Sequence, residues 1–235
     1  MSEPPQGTDP RPAVLFDVDG TLVDTNYLHT VAWWQAFQDV GEDVPMSRIH
    51  PLIGMGSDQL VERLIGRESE EASDAHSRRY EPFKEMIKAF PRAAELITET
   101  DRRGARVVLA TSSSEKDLPR LREAIGVDDS VLDYVVSKGD VEESKPAPDI
   151  FAAAVEHLDL DTGRTIVVGD TTWDVEAADK LGIECVCVLT GGATREQLEE
   201  SGAVAVYEDV AELLDRYDAS PLQEFLARGD TSPDE

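Results

Sequence analysis

The chain has 235 residues, 49 acidic and 22 basic, giving a formal net charge of −27 at neutral pH. That length fits one large domain or a main domain carrying an insert, and 40% hydrophobic residues are ample for a buried core. The charge argues against a non-specific nucleic-acid binder or a protein recruited to anionic lipid, since both need a basic patch against phosphate.

Residues 1–12 are polar and proline-rich and read as a flexible tail without a signal-peptide stretch. Ala13 to Asp17 is a short apolar run ending in polar residues and Gly20, the pattern of a buried strand. From about residue 26 to 89 no strand pattern occurs, and three helical ones do. Tyr27 to Val40 carries Leu28, Val31, Ala32, Trp34 and Phe37; Ser57 is placed to N-cap a helix over 58–65; and a charged helix is predicted over 69–87. A fourth helical pattern, Pro91 to Arg103, turns Ala94, Leu96 and Ile97 toward a core and leads to the strand Arg106 to Thr111. A helix from Ile150 to Leu158 precedes the strand Thr165 to Asp170, a further helix runs from Trp173 to Leu181, and strands follow at Glu184 to Thr190 and, more weakly, Ala203 to Tyr207. Leu222, Phe225 and Leu226 suggest a short helix inside the C-terminal segment, 218–235.

Continuous apolar strands alternating with helices imply a doubly wound, Rossmann-like parallel sheet, an α/β core over 13–25 and 90–217 with an α-helical cap inserted at 26–89. No apolar run reaches the ~20 residues that cross a bilayer, and a cytoplasmic protein, monomer or homodimer, is expected. Cys185 and Cys187 are too close for a strand to bridge and lack metal-ligating neighbours, so they read as buried thiols.

In an open parallel sheet, ligands bind beyond the carboxyl ends of the strands. Here those ends deliver Asp17 and Asp19, then Thr111 and Ser112, then Asp170 with Asp174 four residues on, while Lys145 lies just before a helix. Any one carboxylate there is commonly a turn or helix cap. Four carboxylates, two hydroxyls and a lysine from four separate segments are harder to dismiss, the more so because lysines are few in this chain.

These residues carry a resemblance. Phe16-Asp17-Val18-Asp19-Gly20-Thr21-Leu22 is similar to the first motif of the haloacid dehalogenase-like superfamily, Leu109-Ala110-Thr111-Ser112 to its second, Ser144-Lys145-Pro146 to its third, and Gly169-Asp170-Thr171-Thr172-Trp173-Asp174 to its fourth. The helical insert resembles the cap of the subgroup containing phosphoglycolate phosphatase and β-phosphoglucomutase. The resemblance implies a phosphatase acting on a small phosphorylated metabolite. Asp17 would be the nucleophile and Asp19 the general acid–base, with Gly20 turning the chain sharply between the motif's carboxylates and the helix. Thr111, Ser112 and Lys145 would bind the phosphoryl group, and Asp17, the Asp19 carbonyl, Asp170 and Asp174 would hold or orient Mg²⁺. The dehalogenases lack an acid at the Asp19 position, so phosphoryl transfer is favoured.

In the cap, His29 and Trp33 match a His and a Trp of β-phosphoglucomutase-like proteins, and both are candidate substrate contacts. The mutase keeps an arginine a few residues past a glycine resembling Gly54, yet no arginine occurs between Arg48 and Arg63, and His50 is the only basic residue between them. A phosphatase is therefore preferred over a sugar-phosphate mutase. A non-catalytic binding or regulatory protein would be expected to lose the nucleophile, lysine or metal carboxylates, and all are present. Phe90-Pro91-Arg92-Ala93 departs from relatives with Pro-Gly.

Overall fold

The computed structural model describes residues 11–140 and 145–228, so most of the expected tail, Ser144 of the third motif and residues 229–235 lie outside the described residues. In chain order, β1 (Ala13–Phe16) is followed by α1 (Asn26–Asp39), α2 (Met46–Ile49), α3 (Ser57–Ile65) and α4 (Glu70–Tyr80). Next come α5 (Ala93–Arg102), β2 (Arg106–Ala110), α6 (Leu118–Ile125), β3 (Tyr134–Val136), α7 (Asp149–Leu158) and β4 (Thr165–Gly169). The chain continues through α8 (Thr172–Asp179), β5 (Glu184–Val188), α9 (Arg195–Ser201), β6 (Ala205–Tyr207), α10 (Val210–Asp215) and α11 (Pro221–Arg228).

The strands form one parallel sheet in the order β3-β2-β1-β4-β5-β6. Its direction of winding reverses beside β1, the crevice where doubly wound sheets bind ligands. Alternation along β1 explains the two-sided core. Val14 and Phe16 enter a cluster with Leu96 and Ile97 of α5 and Leu213 of α10, whereas Ala13 and Leu15 enter one with Phe151 of α7 and Val175 of α8. Cys185 and Cys187 share the second face as buried free thiols, their sulfurs 3.8 Å apart.

Helices α1–α4 pack around a third cluster that includes Trp33, Phe37, Ile49, Leu60 and Leu64. Two adjacent chain crossings tie this helical unit to the sheet. Asp24 N–H donates to the Lys88 carbonyl and Phe90 N–H to the Leu22 carbonyl, both at 2.9 Å. Gly56 N–H also donates to the Lys145 carbonyl at 3.1 Å, across the cleft.

Local departures from the sequence reading have local causes. The helix predicted over 69–87 ends at Tyr80, because Pro82 cannot supply the next helical N–H; residues 81–86 wind as a 3₁₀ segment instead. Ser57 does not cap α3; Gly56 holds that position and Ser57 begins the helix. In α5 the buried alanine is Ala93 rather than Ala94. Arg92 sits at φ 65°, left-handed backbone, and pairs with Glu95 and Asp215. Among the described residues no helix is long and apolar enough to cross a membrane.

Candidate active site

The residue after β1 is Asp17, the residue after β2 is Thr111 and the residue after β4 is Asp170, so the topology brings three polar side chains to one crevice. The fourth segment contributes Lys145, whose peptide to Pro146 is cis. All four side chains are buried. Lys145 is only 1% exposed; its ammonium pairs with Asp17 Oδ1 and lies 2.6 Å from Asp174 Oδ1.

Asp174 is engaged at both oxygens. Its Oδ2 accepts from Thr171 Oγ1 at 2.6 Å, from Thr171 N–H at 3.0 Å and from Asp170 N–H at 3.3 Å, closing a capping box at the start of α8. Asp170 accepts from Thr21 Oγ1 at 2.8 Å and from Asn26 Nδ2 at 2.9 Å, and no cation pairs with it among the described residues. Gly20 is at φ 82°, and a Cβ there would lie 2.3 Å from Asp170 Oδ2, so the turn and the close approach both require glycine.

Carboxylate oxygens of Asp17, Asp170 and Asp174 lie within 4.8 Å of one another, all buried. The electrostatics mark this trio as incomplete. Burial pushes the Asp17 carboxyl up to about 7 even though the Lys145 ammonium pulls it down, and Asp174 and Asp19 add to the rise. Burial, with Asp17 and Asp174 alongside, raises Asp170 well above the carboxylate range. Burial opposes the charge of Lys145 too, but Asp17 and Asp174 outweigh it and keep the ammonium protonated. A hard cation could supply the missing positive charge, and an all-oxygen donor set suits one.

Asp19 has a different environment. Its Oδ1 accepts from Thr25 Oγ1 at 2.7 Å and lies 3.6 Å from His29 Nε2; its Oδ2 accepts from Ser113 Oγ at 2.8 Å and Thr111 Oγ1 at 3.1 Å. Burial alone would raise this carboxyl, but His29, Thr25 and Ser113 hold it well below the usual range. Ser112 has a buried hydroxyl with no partner.

A cavity of about 780 Å³ runs from Asp19 between the helical unit and the loop after β2. His29 and Trp33 line it, one turn apart on α1. His50 does not: its ring stacks on Tyr27, centroids 4.7 Å apart, and crowds Gly192. The sequence reading missed His76, which stacks on Trp33 at 4.1 Å and brings Nε2 within 3.3 Å of His29 Nδ1. It also missed Thr21, Thr25, Asn26 and Ser113, the donors that orient the carboxylates. Helical spacing offered a signal for His76, since Ala72, His76 and Tyr80 lie four apart on α4 and face α1.

Buried carboxylates gathered around one lysine at the switch point of a parallel sheet define an enzyme site. Residues 12–182 match the sequence model of the haloacid dehalogenase-like hydrolases, and the chain belongs to that family. It is 32% identical over 216 residues to protein CbbY of Cereibacter sphaeroides, covering 86% of this chain and 93% of that protein. It is 29% identical over 217 residues to a phosphoglycolate phosphatase of Rhodospirillum rubrum, covering 86% of this chain and 89% of that protein. The crystal structure of a hydrolase from Pseudomonas syringae superposes with a TM-score of 0.82 at 32% identity, covering 89% of this chain and 99% of the other.

Proposed function

We propose that the protein is a Mg²⁺-dependent phosphatase that hydrolyses a small-molecule phosphomonoester through an aspartyl phosphate on Asp17. The observation that carries this reading is the separation of two carboxylates two residues apart: Asp17 is braced against Lys145, and Asp19 is held by hydroxyls and His29. Asp17 attacks phosphorus while the bond to the leaving oxygen breaks, and Asp19 delivers a proton to that oxygen. Asp19 then takes a proton from water as the water attacks the acyl phosphate, which releases phosphate and restores the Asp17 carboxylate.

In the substrate-free site Asp19 is ionised, the state needed for the second half. A phosphoryl group arriving beside Thr111 and Ser113 draws their hydroxyls away from Asp19 and adds negative charge, both of which raise its proton affinity. Ser112 brings an unpaired hydroxyl to the same group. Lys145 stabilises charge on the transferring phosphoryl from a position fixed by Asp174. Asp17, Asp170 and the Asp19 carbonyl would hold Mg²⁺, with Asp174 orienting the site. Bound there, the ion neutralises carboxylate and phosphoryl oxygens. The helical unit over 26–89 acts as a cap that excludes water during the first half.

A mutase would have to grip a second phosphate. His50, the candidate the sequence offered, is turned to Tyr27, and Arg63 beyond it lies over the Trp173 ring at 5.1 Å, so neither side chain offers that grip. The test is steady-state hydrolysis of p-nitrophenyl phosphate with Mg²⁺. Turnover that disappears in Asp17→Asn supports the reading; an Asp17→Asn protein that still turns over refutes it.

A further inference from the structure

Two pairs of rings interleave where α1 and α4 pack together. His29 and Trp33 lie four apart on α1, His76 and Tyr80 four apart on α4, and helical spacing puts each pair on one face. Ala72 and Ala75, both fully buried, let the α4 backbone come close to α1, so the His76 ring reaches across. Tyr80 covers the face of His29, centroids 3.9 Å apart and planes 10° apart, and Trp33 covers the face of His76 at 4.1 Å and 15°. The two imidazoles meet differently. Their centroids are 5.4 Å apart at 24°, and His76 Nε2 lies 3.3 Å from His29 Nδ1, so they share a hydrogen bond edge to edge.

Stacking fixes the plane of His29 but not which way round the ring sits. A half-turn keeps the plane and exchanges Nδ1 with Cδ2 and Nε2 with Cε1. In the orientation observed, Nε2 lies 3.6 Å from Asp19 Oδ1; in the other, a carbon would take its place. A polar partner at Nδ1 distinguishes the two, and that partner is His76. The same contact selects the tautomer. Ionised Asp19 only accepts, so His29 Nε2 carries the hydrogen; a neutral His29 then accepts at Nδ1, and His76 Nε2 donates. The effect passes on to the carboxylate. Thr25 and His29 hold Asp19 Oδ1, which leaves Oδ2 facing Thr111 and Ser113.

We infer that His76 is a positioning residue for the reaction: it sets the orientation and tautomer of His29 and, through that ring, aims Asp19. The inference rests on the phosphatase reading above for the role of Asp19, and it makes the far helix of the helical unit part of the proton-handling apparatus.

Two variants test it. His76→Phe keeps a flat ring against Trp33 and removes the polar edge, whereas His76→Gln keeps a donor near the place of Nε2. Rapid-quench measurements with p-nitrophenyl phosphate and Mg²⁺ separate two steps. In formation of the phosphoenzyme nitrophenolate leaves without a proton; in its breakdown Asp19 takes a proton from the attacking water. His76→Phe is expected to slow breakdown by about tenfold, the scale of one orienting hydrogen bond, and to leave formation unchanged. His76→Gln should recover most of the loss. Nitrogen-15 NMR of the substrate-free wild type should show the neutral His29 ring protonated at Nε2 and accepting at Nδ1, a signature that His76→Phe loses.

A neutral wild-type His29 protonated at Nδ1 instead would overturn the inference, whatever the variants do. So would a His76→Phe protein in which both steps slow equally or neither slows, or a His76→Gln protein that is folded by circular dichroism yet as slow as His76→Phe. If the wild type forms no phosphoenzyme and turns over no ester, the phosphatase reading itself fails and takes the inferred role with it.

Discussion

Replacing Asp170 by asparagine should make the metal-free protein more stable and, at the same time, inactive. Asp170 is fully buried, its partners Thr21 and Asn26 are neutral, and its oxygens lie within 4.8 Å of Asp17 and Asp174 oxygens. At an effective dielectric of ~20, each such repulsion is about 3 kcal/mol, and Lys145, paired with both neighbours, cancels roughly half of the total. Removing the charge therefore relieves about 3 kcal/mol, a rise in Tm of roughly 6–12 °C for a chain of this size. The amide fits: Asn26 has a buried Oδ1 without a partner, and turning its side chain presents that oxygen to the new N–H donor.

The sign with pH follows from the raised Asp170 carboxyl. A folded-state value above the unfolded 3.8 penalises folding once the unfolded chain ionises, and the penalty grows with pH until the folded group ionises too. The gap between variant and wild type should thus be wide at neutral pH and close toward pH 4. Thermal melts in EDTA across this range measure it, with Mg²⁺ added in parallel; the ion should raise the wild-type Tm and leave the variant nearly unmoved. An Asp170→Asn protein that melts at or below the wild type in EDTA at neutral pH would refute the account of a strained, cation-seeking trio.

Lys145→Ala works in the opposite direction. It leaves three buried carboxylates with no cation and should cost about 3–5 kcal/mol without metal, partly restored by Mg²⁺; denaturant melts with and without the ion report this. Asp19→Asn should lower kcat by about 10²–10⁴ for an alkyl phosphate, whose oxygen must be protonated, and far less for formation of the acyl phosphate from an aryl ester, as pre-steady-state bursts would resolve. Thr194 caps α9 in a reciprocal box with Gln197, away from the site. Thr194→Ala should cost ~1 kcal/mol in urea melts with kcat unchanged.

The sheet was legible where strands are buried on both faces. The first, second, fourth and fifth strands read as continuous apolar runs because helices cover both sides. The three-residue β3 escaped notice, since the run Tyr134-Val135-Val136 is short and its first two residues are only half-buried at the sheet edge. Helices α6, α9 and α10 are short and stand on caps and packing rather than on long periodicity. The carboxylates of the crevice and the lysine stood out because their spacing after strand ends is local information. The donors around them did not. Asn26 meets Asp170 across 144 positions and Ser113 meets Asp19 across 94, contacts that only the folded topology creates. His76 belongs to the same class: it sits in a charged helix, and the crossing of α1 and α4 brings it to His29.

The negative charge of the chain divides accordingly. Most of the acidic side chains are solvated, and many form exposed pairs such as Arg79 with Asp39 and Arg102 with Glu99, worth little individually. The buried trio is the part that has chemical consequences, and it explains how so acidic a protein can attract a phosphate: the positive charge is concentrated at Lys145 and at the cation the trio would hold.

The most direct test of the central claim is a rapid-quench single turnover with a ³²P-labelled monophosphate ester and excess enzyme in Mg²⁺. The account predicts a transient, hydroxylamine-labile label on the peptide that contains Asp17, formed and lost at rates consistent with kcat and absent in Asp17→Asn. Turnover without protein-bound label at any quench time, or label on a peptide lacking Asp17, would contradict it.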